Sequence, residues 1–183
     1  MKLMFASDIH GSAYYCRKMI EAYQAEQAGR LILLGDILYH GPRNDLPKDY
    51  APKEVIAMLN PLKNDICAVR GNCEAEVDQM VLDFPVMADY CIIIEQNRTI
   101  YATHGHIYNE NNLPPLKEGD VLIHGHTHVL RAEKMEHYTL LNPGSVSLPK
   151  EDNPPSYAIL NDGLFTIKGL EGKIIKQINI ESR

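Results

Sequence analysis

Five short segments of the sequence place histidine, acidic and amide side chains next to glycine or to each other. They are Asp8-Ile9-His10-Gly11, Gly35-Asp36, Gly71-Asn72-Cys73-Glu74, Thr103-His104-Gly105-His106 and His124-Gly125-His126-Thr127-His128. Residues two apart in an extended segment point to the same side, so paired side chains can converge on one ion. Imidazole, carboxylate and amide donors without a thiolate favour Mn, Fe or Zn over Cu(I) or calcium.

Each of these segments follows a short apolar run that is typical of a buried strand. The runs are Leu3–Ala6, Leu31–Leu34, Ile66–Val69, Thr99–Ala102 and Val121–Ile123. A single histidine or aspartate after a strand is more often a packing residue, a turn former or a helix cap. Five such segments at strand ends, where α/β sheets build their sites, favour a metal centre instead.

Two helices are predicted between the first three strands. Residues 14–28 are rich in helix-forming side chains, with Ser12 as N-cap and Gly29 just beyond the end. Lys53–Leu59 forms a second helix that is opened by Pro52 and ends before Pro61.

The second half of the sequence is rich in predicted strands. Cys91–Ile94 and Thr99–Ala102 flank Gln96-Asn97 as a hairpin. Further strands are predicted at Val121–Ile123, Thr139–Leu141, Tyr157–Leu160, Phe165–Lys168 and Lys173–Ile180. The fold class is therefore α/β, with two sheets packed face to face and helices outside.

Size and composition predict a single domain over residues 1–183. The 18 basic and 24 acidic residues give a net charge of −6, which argues against a partner that is a long nucleic acid. The four cysteines have no paired spacing, and no apolar run is long enough for a signal peptide or a membrane span. We therefore expect a cytoplasmic protein without a membrane partner.

The composite pattern DxH…GD…GN[HC][DE]…H…GHxH, from Asp8 to His128, resembles that of the calcineurin-like metallophosphoesterases. The Gly71–Glu74 segment and the Gly41-Pro42-Arg43-Asn44 stretch after Asp36 resemble the compact YfcE-type phosphodiesterases of bacteria and archaea. The resemblance implies a double β-sandwich flanked by helices in four layers. It also implies metal-dependent hydrolysis of a small or flexible phosphodiester.

The resemblance further implies a ligand set for two divalent ions, with Mn²⁺ favoured and Fe or Zn as alternatives. One ion would be held by Asp8, His10 and His128, and the other by Asn72, His104 and His126. Asp36 would bridge them, since a carboxylate can span two cations. Ions roughly 3.5–4 Å apart would hold a bridging hydroxide as the nucleophile and bind two phosphoryl oxygens.

Several other residues are candidates for supporting roles. Cys73 replaces a histidine that is thought to assist the leaving group in many relatives, so it is either a weak catalytic acid or a space-filling side chain. Asn72 and Arg43 are the candidate substrate-binding residues, with His40 as a weaker one. His106 and His124 are expected beside the ligands, His137 has no assigned role, and the loop Asn142-Pro143-Gly144-Ser145 is expected to support the site from behind.

Two alternatives to a phosphodiesterase remain open at this point. One is a phosphomonoesterase, either a nucleotidase or a protein phosphatase. The other is a non-catalytic scaffold, because the same fold serves as the sorting subunit of retromer. All seven ligand positions are retained here, which disfavours the scaffold. Exposed sheet edges would also permit a homo-oligomer.

Overall fold

A computed structural model describes residues 1–180, so residues 181–183 of the predicted domain lie outside the described part. The strands are β1 (Leu3–Ala6), β2 (Arg30–Leu33), β3 (Ile66–Ala68), β4 (Tyr90–Glu95), β5 (Arg98–Thr103), β6 (Val121–Ile123), β7 (Arg131–Lys134), β8 (Thr139–Asn142), β9 (Ser156–Asn161), β10 (Leu164–Gly169) and β11 (Ile174–Asn179). The helices are α1 (Ala13–Glu26), α2 (Pro52–Leu59) and α3 (Glu76–Val81), with a 3₁₀ turn at Asn60–Leu62.

The strands form two sheets. The six-stranded sheet has the order β11-β10-β9-β1-β2-β3, and the five-stranded sheet has the order β4-β5-β6-β8-β7. β1, β2 and β3 run parallel, as do β5, β6 and β8. The carboxyl ends of each parallel trio therefore lie together at one edge of its sheet, where the chemically active segments follow.

The alternation of side chains along β1 shows how the layers pack. Leu3 and Phe5 point into a core between the two sheets, together with Val121 and Ile123 of β6. Met4 and Ala6 point the other way, into a second core that α1 and α2 cover. This arrangement of two packed sheets with flanking helices confirms the predicted fold class.

The first helix begins as predicted but ends early. The Ser12 hydroxyl accepts a hydrogen bond from the backbone N–H of Tyr15 at 3.2 Å, as an N-cap does. The predicted end at residue 28, with Gly29 just beyond it, is wrong, because the helix ends at Glu26 and Gln27 already turns the chain left-handed at φ 50°. In residues 1–180, no helix combines the length and the apolar character needed to cross a membrane.

Candidate metal centre

The backbone bends sharply just after the strands, in the segments that carry the predicted ligands. Five of the seven predicted ligands have left-handed backbone angles: Asp8 (φ 59°), His10 (51°), Asp36 (54°), His126 (64°) and His128 (61°). Non-glycine residues adopt this region infrequently, and such residues cluster at functional sites. The turns direct the side chains of both sheets into one shared cluster.

Three of these side chains form the first part of the cluster. Asp8 Oδ1 lies 3.2 Å from His128 Nε2 and 3.6 Å from His10 Nε2. The Nε2 atoms of the two histidines are 3.3 Å apart. All three side chains are buried, and their donor atoms lie close enough together to hold a single metal ion.

Three further side chains form the second part. His104 Nε2 lies 3.1 Å from Asn72 Oδ1 and 3.2 Å from His126 Nδ1. Asp36 lies between the two parts, since its Oδ2 atom is 3.6 Å from His10 Nε2 and 3.5 Å from His104 Nε2. All seven predicted ligands therefore meet in one cluster, with Asp36 in the middle.

Backbone carbonyl oxygens fix the orientation of three imidazole rings. The Nδ1 atom of His10 lies 2.8 Å from the backbone oxygen of Tyr39. The Nδ1 atoms of His104 and His128 each lie 2.6 Å from a backbone oxygen, that of Leu34 and that of Leu148 respectively. A carbonyl oxygen only accepts, so each Nδ1 atom carries the proton and donates it. In the neutral ring, Nε2 then presents a lone pair to the cluster, as a metal ligand requires.

The charges in the cluster favour a cation. Burial opposes ionisation of Asp8, yet His10 and His128 hold the pKa of this carboxyl well below its usual range. Although burial opposes the charged ring, Asp36 and Asp8 raise the pKa of His104 to about 9. Burial, and then repulsion from His104, lowers the pKa of His126 to about 4, so its ring is neutral at neutral pH, as a metal ligand requires.

The donor set fits the divalent ions that the sequence predicts. Asp8 Oδ1 is buried and has no partner at hydrogen-bond geometry, and the Nε2 atoms of His10 and His128 lie 3.6 and 3.2 Å from it. A buried carboxylate oxygen in this position is stabilised by a cation. Carboxylate, imidazole and amide groups together suit a transition metal such as Mn, Fe or Zn.

Glycine allows the turns after β2 and β3 to approach each other. A β-carbon on Gly71 would overlap the Asp36 carboxylate, and one on Gly35 would lie 2.5 Å from the Gly71 nitrogen. Gly35 also has φ 93°, which other residues seldom adopt.

The loop after β8 supports the cluster, as predicted. Ser145 and Ser147 each donate a hydroxyl hydrogen bond to the backbone oxygen of Asp8 at 3.0 Å. Asn142 donates to the backbone oxygen of Gly125 at 2.9 Å. Ser147 lies just beyond the segment that the sequence singled out.

His106 and His124 lie beside the cluster, as expected. The His106 ring packs on His104, with centroids 5.3 Å apart. The His124 ring is buried, and its Nε2 atom lies 3.3 Å from Glu110 Oε2. His137, which has no assigned role, is 71% exposed.

A cleft of about 390 Å³ opens over the cluster. Arg43, Asn44 and Lys150 line it together with His126 and His128. His40 instead packs edge-on between the rings of Tyr39 and Tyr50, with centroid distances of 4.7 and 5.2 Å. Sequence reasoning missed Lys150, because it follows no strand and belongs to no recognised motif.

Cys73 lies against Asp36. Its backbone N–H donates to Asp36 Oδ1 at 2.9 Å, and its sulfur accepts from the Asn72 amide at 3.2 Å. Burial, and then the negative charge of Asp36, raises the pKa of the Cys73 thiol. The thiol therefore stays protonated at neutral pH, which makes it a poor nucleophile.

Comparison with known proteins agrees with this geometry. Residues 1–162 match the family model of the calcineurin-like phosphoesterase superfamily domain. The chain is 45% identical over 181 residues to the phosphodiesterase YfcE of Escherichia coli K12, and the match covers 98% of each. A solved structure of YfcE, described as a phosphoesterase from E. coli, superimposes with a TM-score of 0.96 at 45% identity over 99% of this chain and 100% of that one.

A more distant structural relative shares the fold alone. Wild-type Vps29 of Entamoeba histolytica, solved in complex with zinc, has a TM-score of 0.61 at 20% identity over 99% of this chain and 100% of that one. The family model and the 45% identity carry the assignment. The chain belongs to the calcineurin-like phosphoesterase superfamily.

Proposed function

We propose that the protein is a metal-dependent phosphodiesterase that hydrolyses a small phosphodiester. The observation that carries the proposal is the position of Asp36 Oδ2, at 3.6 Å from His10 Nε2 and 3.5 Å from His104 Nε2. A carboxylate placed in this way can serve two groups of ligands at once. The identity of 45% to a protein named as a phosphodiesterase supports the choice of substrate class.

In this proposal Asp8, His10 and His128 hold one divalent ion, Asn72, His104 and His126 hold the other, and Asp36 bridges them. Mn²⁺ is our first choice, with Fe or Zn as alternatives. Bound ions would activate water and withdraw charge from the phosphoryl oxygens.

The side chains around the cluster have separate tasks. Arg43 and Lys150 line the cleft with two positive charges, which attract the phosphate and orient it. Asn72 has its amide oxygen toward His104 and its amide nitrogen toward Cys73, so it can contact both an ion and the substrate.

The cleft suits a small molecule better than a long nucleic acid. Its volume of about 390 Å³ matches a small ligand, and the net charge of −6 disfavours a polyanion beyond the cleft. All four cysteines are free thiols, and a reducing compartment such as the cytosol keeps thiols in this state. This supports a cytoplasmic location.

Metal removal and a matched pair of substrates test the proposal. The protein is treated with a chelator, dialysed, analysed for metal, and then titrated separately with Mn²⁺, Fe²⁺, Zn²⁺ and Mg²⁺. Methyl p-nitrophenyl phosphate reports diester hydrolysis, and p-nitrophenyl phosphate reports monoester hydrolysis. We expect activity to vanish on chelation, to return best with Mn²⁺, and to favour the diester in kcat/KM. Full activity in the metal-free protein would exclude the metal mechanism, and a preference for the monoester would indicate a phosphomonoesterase.

A further inference from the structure

A second cavity, of about 450 Å³, adjoins the metal-binding cluster. Its lining is mainly apolar, whereas the lining of the cleft is charged and polar. It lies between the loop that follows β2 and helix α3. Its lining includes Tyr39, Tyr50, Pro52, Ile56, Val77 and Val81. We call this cavity the apolar pocket.

The apolar pocket and the metal cluster share one side chain. Cys73 lines the pocket, while its sulfur lies within 4.8 Å of donor atoms of both His10 and Asp36. Tyr39 also connects them, because its carbonyl oxygen accepts from His10 Nδ1 and its side chain lines the pocket. A molecule held at the cluster is therefore one side chain away from the apolar pocket.

The lining of the pocket favours an uncharged occupant. Val77 is 60% exposed, Tyr39 43% and Val81 40%, so this apolar surface is available to a ligand. Asp78 also lines the pocket and accepts a hydrogen bond from the backbone N–H of Ala75. Its negative charge disfavours a second anionic group there, whereas Arg43 and Lys150 attract one on the cleft side.

We propose that the apolar pocket binds one ester substituent of the phosphodiester, and that this substituent is an uncharged alkyl or aryl group. The inference rests on the proposed function and narrows its substrate class. With the phosphate at the metal cluster, one substituent enters the apolar pocket past Cys73. The other remains on the side of Arg43 and Lys150, where a polar group is preferred.

Binding of simple alkyl phosphates tests the pocket without requiring turnover. The Mn²⁺-loaded protein is titrated calorimetrically with methyl, ethyl, propyl and butyl phosphate, each of which carries a single substituent. We expect the Kd to fall about fourfold for each added methylene, the value for burying a CH₂ group. An unchanged Kd along the series would overturn the proposal.

Two variants of α3 locate the effect. Val77→Asp places a charge in the pocket, and Met80→Asp places the same charge on the same helix at a side chain that is 82% exposed. Val77→Asp should remove the dependence of Kd on alkyl chain length, while Met80→Asp should retain it. The same dependence of Kd on chain length in both variants would contradict binding of the substituent in the apolar pocket. Tyr39→Ala, which keeps the carbonyl group, is a second variant of the pocket lining and should weaken the dependence of Kd on chain length.

Failure of the proposed function would look different. If the Mn²⁺-loaded protein hydrolysed no methyl aryl diester, the phosphodiesterase assignment would be wrong, regardless of how the alkyl phosphates bind. If it hydrolysed the diester but bound all four alkyl phosphates with the same Kd, only the proposed role of the apolar pocket would be wrong.

Discussion

The buried Glu74 carboxylate accepts a hydrogen bond from the backbone N–H of Asp36 at 2.8 Å. It also accepts from the backbone N–H groups of Ile37, at 2.7 Å, and Gly71. One side chain after β3 thereby holds the turn after β2, which places the central carboxylate of the cluster. Through these three hydrogen bonds Glu74 positions the site by way of backbone groups.

Glu74→Gln should weaken metal binding without removing a ligand. The amide would set an N–H₂ group against backbone N–H donors, which shifts the turn that carries Asp36. Loss of a group that orients a ligand typically weakens metal affinity about 10- to 100-fold. Mn²⁺ affinity measured by calorimetry checks this, with Glu76→Gln as a control that removes the same charge from an exposed side chain. Equal affinities in the two variants would refute the role of Glu74.

Asp36→Ala should be the most damaging single substitution. It removes the carboxylate that lies between His10 and His104, so both groups of ligands lose a partner. We expect kcat/KM to fall by roughly a thousandfold, since metal stabilisation of the transition state is worth several kcal/mol. His137→Ala, at an exposed side chain, should keep full activity and metal content. Similar losses in both variants would mean that the site lies elsewhere.

Cys73→His should raise turnover severalfold, most for substrates with poor leaving groups. An imidazole is a better proton donor than a thiol with a raised pKa, although general acid catalysis reaches its usual range of about 10²–10⁴ only when the donor is well placed. The ratio of kcat/KM for diesters to kcat/KM for monoesters should also decrease. Cys73→Ala should change little. The measurement is kcat/KM for aryl phosphodiesters of graded leaving-group pKa and for the matching monoesters.

The opposite result for Cys73→Ala would be informative. If that variant lost all activity while it still bound its metals, the thiol would have to act as a nucleophile or as a true acid. The weak-acid and space-filling interpretations would then both be wrong.

Glu26→Gln should destabilise the fold in a pH-dependent way. Glu26 accepts hydrogen bonds from Lys168 at 2.6 Å and Tyr157 at 2.9 Å, which anchor the end of α1 to β9 and β10. Burial opposes ionisation, but Lys168 and Tyr157 lower the pKa of Glu26 below its ordinary value of 4.5. The folded-state pKa is depressed, so the stabilisation is present above about pH 4.5 and is lost as the pH falls through the folded-state value.

We expect Glu26→Gln to lower the free energy of unfolding by about 2 kcal/mol at pH 7, as for a hydrogen-bonded charged group. The difference from the wild type should shrink as the pH falls below 4.5, the ordinary pKa of the carboxyl. Urea unfolding at pH 7 and at a series of pH values below 4.5 measures this change in the free energy of unfolding. Glu21→Gln, on the same helix but with a side chain that is 55% exposed, should have little effect at either pH. A difference that did not depend on pH would contradict the ion-pair explanation.

The sequence was most informative where pattern and chemistry coincide. Apolar runs such as Leu3–Ala6 and Val121–Ile123 matched their strands to the residue, because buried strands of parallel sheets are continuously apolar. Strand β7, Arg131–Lys134, was missed because three of its four side chains are charged and only Ala132 is apolar. Helix α3 was missed because it has only six residues and buries none of them fully.

Long-range contacts set the limit of prediction. The sequence did not indicate that β9, β10 and β11 return to the first sheet, since strand pairing depends on contacts far apart along the chain. Within the site, the predicted ligands do converge, but the roles of Glu74 and Ser147 depend on hydrogen bonds to backbone groups. Side-chain spacing cannot reveal such partners.

The left-handed backbone at Asp8, His10, Asp36, His126 and His128 has a consequence for how this protein can evolve. Glycine would relax each of these positions, since such conformations cost of order 1 kcal/mol or more for other residues. Each replacement would also delete a candidate ligand, so stability and activity are in direct conflict at these five positions. Selection for heat resistance should therefore act on the cores and surface loops, and leave these strained turns in place.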